Sequence, residues 1–141
     1  MAPDMMRKLR GLLMIHEGYK LKPYTDTTGN ITIGIGRNLS DRGIFPTEAD
    51  QMFTNDVNYF YNALCTTYPW FTQLDEARQI ALVDMSFMGV KTLGGFTEML
   101  AAFGLKNYNT AAYEILNSHY AHQVGQRAKD IAQIVRTGRL L

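Results

Sequence analysis

The chain has 141 residues, 46% apolar and 19% charged, with a formal net charge of +1 and one cysteine, Cys65. That length suits one domain with a real hydrophobic core. The charge balance offers no basic footprint for nucleic acid, and the lone cysteine rules out an intramolecular disulfide. Charge is nonetheless uneven: residues 1–37 carry six Lys/Arg against three acids, 38–105 three against eight, and 106–141 five against two. Basic ends of this kind either attract an anionic surface or merely solvate amphipathic helices.

From Leu9 to Ile15 apolar residues recur at helical spacing, Glu17 closes the last turn, and Gly18 is suited to a left-handed cap. The run Leu12–Ile15 is too short for a membrane span or the apolar region of a secretory leader, so the chain is expected to stay in the cytoplasm where it is made. Next, Ile31, Ile33 and Ile35 alternate with Thr32, Gly34 and Gly36, the pattern of a strand with one apolar face and one small or polar face. A three-residue loop Thr27-Thr28-Gly29, with Gly29 left-handed, would set Asp26 opposite Asn30 and on the same face as Thr32.

The remainder reads as helices. Thr47, followed by Glu48 and Asp50, starts one that runs to about Cys65, with Cys65 on its apolar face as a packing residue. Asp75 caps another through Met88, and Gly94-Gly95 separates it from the next, which ends at Phe103. Two more span 110–121 and 126–137; Ile131, Ile134 and Val135 mark the buried face of the last. One hairpin region, about 19–39, with about six helices predicts an α+β fold. His119 and His122 lie three apart on a helix, but no third ligand is near, so no metal is expected.

Chemistry concentrates in residues 16–36, HEGYKLKPYTDTTGNITIGIG, as the spacing E-x8-D-x5-T of Glu17, Asp26 and Thr32. Glycosidic hydrolysis commonly needs one carboxylic acid to protonate the leaving oxygen and a second carboxylate across the sugar ring. Glu17 fits the acid, because the carbonyl end of its helix disfavours ionisation. Asp26 fits the second carboxylate, with Thr32 placed to help it hold a water.

These residues resemble the phage-type lysozymes, glycoside hydrolase family 24. YTDTTGNITIGIG is similar to that family's catalytic hairpin, RQIALVDMSFMGVKTLGGF to its buried central helix and following turn, and SHYAHQVGQRAKDIAQIVRTG to its C-terminal helices. The resemblance implies a lysozyme-like α+β fold over 1–141, with a small lobe at about 16–60 and a larger helical lobe made of about 66–141 plus the N-terminal helix, the two joined by a long helix. The long helix from Thr47 to about Cys65 is the one expected to bridge the lobes. The resemblance implies Glu17, Asp26 and Thr32 as the catalytic set, and Asn38, Phe87 and Arg127 as substrate-binding positions. Arg127 occupies the place of an arginine paired with the catalytic glutamate, and such a cation would oppose the helix-end effect on Glu17. The chain departs from the family twice. SFMG is one residue shorter than the corresponding segment, and Arg37 stands where the best-known member has a histidine in a structural ion pair.

The function so implied is cofactor-independent, inverting hydrolysis of the β-1,4 bond between N-acetylmuramic acid and N-acetylglucosamine in bacterial peptidoglycan. The expected setting is a monomeric endolysin, without membrane insertion or nucleic-acid partner, that waits in the host cytoplasm until a phage pore protein admits it to the wall. Rival readings are a virion lysozyme used at infection and a catalytically silent peptidoglycan-binding module.

Overall fold

In the computed structural model, which describes residues 1–141, the N-terminal helix α1 (Pro3–Glu17) ends as its sequence demands. Gly18 adopts φ +83° and donates its N–H to the Met14 carbonyl at 3.0 Å. A three-stranded antiparallel sheet follows in the order β1 (Lys20–Thr25), β2 (Ile31–Gly34) and β3 (Arg37–Asn38). Tyr24 lies opposite Thr32 and Thr25 opposite Ile31, while Thr32 also pairs with Asn38. The β1–β2 loop has the expected form: Gly29 takes φ +86°, its N–H reaches the Asp26 carbonyl at 3.1 Å, and Asp26 N–H reaches the Asn30 carbonyl at 2.9 Å. The alternation in β2 leaves open which of its faces is covered. Thr32 is 3% exposed whereas Ile31 is half exposed, so the enclosed side of the strand begins with the threonine rather than with the isoleucine.

After the short α2 (Leu39–Arg42) comes the long helix α3 (Pro46–Thr67), which starts one residue earlier than Thr47. The reason is local. Pro46 provides a preset φ at the first helical position, and the Glu48 carboxylate reaches back to accept the Phe45 N–H at 2.7 Å. Arg37 clasps the same carboxylate through two bonds of 2.8 and 2.7 Å, and this guanidinium, with the Phe45 N–H second, holds Glu48 below the usual carboxylate range. An ion pair at Arg37 is therefore kept although the residue departs from the family pattern.

The chain forms two compact units, Met1–Met52 and Phe53–Leu141, with the boundary inside α3. The second contains a 3₁₀ turn (Phe71–Gln73) and helices α4 (Glu76–Ser86), α5 (Val90–Gly94), α6 (Thr97–Gly104), α7 (Tyr108–Leu116), α8 (His119–Val124) and α9 (Gln126–Thr137). Nine helices and one small sheet make the fold α+β, as expected. Asp75 caps α4 by accepting the Arg78 N–H at 3.2 Å. The helix expected over 110–121 is instead two. Ser118 breaks it, donating its hydroxyl to the Ile115 carbonyl at 2.6 Å and capping α8 at Ala121 N–H, so one side chain closes α7 and opens α8.

Every buried apolar side chain lies in the second unit, around Leu64, Phe71, Leu82, Met85, Leu93, Met99, Phe103, Ile115 and Val135. Helix α9 turns Ala128, Ile131, Ala132 and Val135 inward at positions i, i+3, i+4 and i+7. Its alanines and the buried Ala111 and Ala112 of α7 leave little between the two backbones, and α7 and α9 form the most extensive helix contact. The buried Ser86 hydroxyl is satisfied within its own helix by the Leu82 carbonyl at 2.7 Å.

Arg78 ties α4 to the end of α9. Its guanidinium donates to the carbonyls of Val135 at 2.6 Å and Arg136 at 3.1 Å, bonds Asp75 at 2.8 Å, and lies 3.6 Å from the centre of the Tyr108 ring. A cation thus meets the negative end of α9 where the last carbonyls lack helical partners. Gly138 completes the arrangement: at φ +71° it ends the helix, and a β-carbon there would lie 2.9 Å from Arg78 Nη1. Arg78→Gln is expected to cost about 2 kcal/mol, lowering the thermal midpoint by roughly 5–10 °C in circular dichroism melts. A shift below about 2 °C would mean that water replaces the guanidinium at the helix end without loss.

Candidate active site

The structure gathers four of the six candidate residues in the first unit. Glu17 is the last residue of α1, and the Tyr24 hydroxyl donates to its backbone carbonyl at 3.3 Å. Its side chain lies directly over Gly36, where a β-carbon would come within 2.8 Å of Glu17 Cγ and 3.0 Å of its Cβ. The turn between β2 and β3 therefore seats the glutamate, and only a residue without a side chain permits it. Sequence reading took Gly36 as the small face of a strand and missed this role. The available signal was the pair Gly34 and Gly36 closing a strand, both at positive φ.

Asp26 is oriented by its own loop. Oδ1 accepts the Thr28 N–H at 2.9 Å, the Thr28 hydroxyl at 2.8 Å and the Asn30 N–H at 2.8 Å, which leaves Oδ2 as the open oxygen. The Asn30 N–H foremost, then the Thr28 hydroxyl, hold the carboxyl below the usual carboxylate range. Asp26 is thus an anion from mildly acidic pH upward. Thr32 faces the same side, two residues beyond Asn30, and its hydroxyl donates to the Asn30 carbonyl at 3.3 Å. With that proton engaged, Thr32 Oγ1 meets further partners as an acceptor. Asn38 pairs with Thr32 across β2–β3 and caps α2, its Oδ1 accepting the Asp41 N–H at 3.0 Å; the Nδ2 donors stay available. Tyr24 connects the set, since it faces Thr32 on the ladder and bonds the Glu17 backbone.

Phe87 and Arg127 belong to the second unit. Phe87 follows α4, is 44% exposed, and packs its ring 4.8 Å from that of Phe60, so it is a surface aromatic and not a core residue. Arg127 sits in the first turn of α9 and binds Asp84 of α4, with Nε and Nη2 at 2.9 and 2.7 Å from Oδ1 and Nη2 at 3.0 Å from the Asp84 carbonyl. Asp84 was not singled out from sequence; a helix position facing a distant arginine carries no local mark. Phe87 and Arg127 both line two surface grooves of this unit, of about 540 and 730 Å³.

The hairpin thus carries an oriented aspartate and a threonine, and the turn after β2 seats a helix-end glutamate on glycine. The phage lysozyme family model matches residues 14–136, and the chain belongs to that family. Two proteins of Dictyostelium discoideum, described as probable T4-type lysozymes 2 and 1, are 27% and 26% identical to it, each alignment covering 96% of this chain and 98% of the relative. Membership indicates glycoside hydrolase chemistry.

Two variants test the geometry. Gly36→Ala should push the Glu17 side chain aside and lower the rate of cell-wall clearing by roughly 10–100-fold, the scale of an ångström-sized misplacement. The thermal midpoint, measured beside it, should fall only by the few degrees that a left-handed alanine costs. Thr28→Val removes one donor from Asp26 Oδ1 and should bring its pKa up toward the ordinary value. Because the folded-state pKa of Asp26 is depressed, its stabilising contribution is present above the unfolded value and lost as pH falls through the folded one. The acid limb of the pH–rate profile should therefore move to higher pH in Thr28→Val, with the neutral-pH rate little changed.

Proposed function

We propose that the protein is a muramidase that hydrolyses the β-1,4 bond between N-acetylmuramic acid and N-acetylglucosamine in bacterial peptidoglycan. The observation that carries this reading is the division of labour within Asp26. Three donors fix Oδ1, and Oδ2 takes none of them, on the hairpin side shared with the largely enclosed Thr32. A water that gives one hydrogen to Asp26 Oδ2 and the other to Thr32 Oγ1 presents its lone pair outward, toward an anomeric carbon. Glu17, protonated, gives its proton to the leaving oxygen on the opposite face of the ring. Asp26 takes the proton that the water sheds. The product then has inverted configuration, and the two carboxyls need roughly 6.5–9.5 Å between them to admit the water. No cofactor enters these steps.

Asn38 supports saccharide binding as a hydrogen-bond donor, and Phe87 offers an aromatic face for the apolar side of a sugar. The biological reading is a monomeric phage or prophage endolysin, held in the host cytoplasm until a pore protein admits it to peptidoglycan. No helix is long and apolar enough to cross a membrane. The built hydrogen-bond set at Asp26 favours an active enzyme over a silent wall-binding module.

Mass spectrometry of digested peptidoglycan is the test: new reducing muramic acid ends support the reading, and anhydro-muramic ends would replace it with a transglycosylase. Glu17→Gln should lower the rate by about 10²–10⁴-fold at an unchanged circular dichroism spectrum. NMR of the first released anomer decides the mechanism, retention being the outcome that removes Asp26 and Thr32 as water holders.

A further inference from the structure

Asn30 bonds Asp26, Thr28 and Thr32 alike, yet the reaction uses no atom of its side chain. Its backbone N–H donates to Asp26 Oδ1 at 2.8 Å, and its carbonyl accepts the Asp26 N–H at 2.9 Å and the Thr32 hydroxyl at 3.3 Å. Those backbone bonds belong to the turn, and another residue could make them. The side-chain bond is different. Asn30 Nδ2 donates to Thr28 Oγ1 at 2.9 Å, and Thr28 Oγ1 itself donates to Asp26 Oδ1 at 2.8 Å. A hydroxyl carries a single hydrogen. With that hydrogen on Asp26, the Asn30 group that faces Oγ1 has to be the NH2 rather than the carbonyl, so donation runs from Asn30 to Thr28 to Asp26. Bonds chained in one direction polarise and strengthen one another. Asp26 joins no ion pair, and each group that lowers its pKa is a donor of this loop, the Asn30 N–H first and the Thr28 hydroxyl second.

We infer that the Asn30 side chain is a positioning group for the water-activating carboxylate: by donating to Thr28 Oγ1 it commits the single Thr28 proton to Asp26 Oδ1 and so keeps Oδ2 for the water. The role of the water rests on the muramidase reading; the direction of the donor chain does not. An oxygen in place of the amide nitrogen would reverse the chain, because Thr28 would give its proton to residue 30 and turn a lone pair toward Asp26. Asp26 Oδ1 would then lose one of its three donors and meet an acceptor instead.

The test is Asn30→Asp, which exchanges the NH2 for an oxygen at nearly constant shape, made in the full chain and again together with Thr28→Val. Carbon-13 NMR follows the Asp26 carboxyl across the pH range without substrate. Asn30→Asp should raise the Asp26 midpoint by about one pH unit where the Thr28 hydroxyl is present, and by roughly a third of that or less in Thr28→Val, where only the added charge acts. Equal rises in the two backgrounds would overturn the inference, because charge repulsion alone would then account for them; so would the lack of a rise in either. Asn30→Ala deletes the donor without adding charge and should raise the midpoint by roughly half a unit, again only with the hydroxyl present. An Asp26 that Asn30→Ala leaves unmoved would mean that Thr28 needs no partner to hold its direction, and the positioning role would be lost. With soluble muropeptide oligomers Asn30→Asp should lower kcat about ten-fold and leave KM within about two-fold, whereas a raised KM at unchanged kcat would make Asn30 a saccharide contact instead. Failure of the muramidase reading is seen separately, as the lack of new reducing muramic acid ends in the wall digest, and it leaves the carboxyl titration interpretable.

Discussion

Residues 1–52 bury a single side chain, Thr32, so the part of the protein that bears the carboxylates is held by hydrogen bonds and close backbone approach within its own unit, not by an apolar core. That constraint explains its composition. Three donors orient Asp26, the Arg37–Glu48 clasp joins the end of the sheet to the start of α3, Asn38 caps α2, and Gly36 admits the Glu17 side chain. Hydrogen bonds are directional, whereas apolar contact is not. A polar scaffold can therefore fix which oxygen of a carboxylate is free, which is what water activation requires.

The second unit solves a different problem. It contains the whole buried apolar cluster, and its helices interlock through alanine-lined contacts such as α7 on α9. Packing at this density transmits position from one helix to the next. Arg127 depends on it: α9 sets the arginine and α4 sets Asp84, and Arg78 fastens the far end of α9 to α4 again. The larger of the two grooves is walled by α6, α7 and α8 on the same platform. Rigid helices thus display groups whose spacing a loop would not keep.

Much of this was legible in the sequence because the relevant physics is local. The loop Thr27-Thr28-Gly29 needs a left-handed residue in one place, and Gly29 is there at φ +86°; Asp75 precedes a helical pattern and caps it; Ile131, Ile134 and Val135 recur at helical spacing and are buried. The E-x8-D-x5-T spacing pointed to the hairpin for the same reason. An error arose where two local signals competed. Residues 110–121 have continuous helical periodicity, yet the Ser118 hydroxyl serves two helix ends at once and divides them. At β2 the alternation alone left the buried side open, since period two says which residues share a face and not which face is covered; the structure covers Thr32.

By itself, then, the sequence determined the α+β class, the turn chemistry of the hairpin and the residue types at the carboxylate pair, all of which follow from interactions within a few positions of the chain. Tertiary structure decided the rest. It seated Glu17 on Gly36, 19 residues apart in the chain, and set Asp84 against Arg127. Each depends on elements brought together by packing and strand pairing, and no local propensity records which partner a side chain meets once the elements have docked.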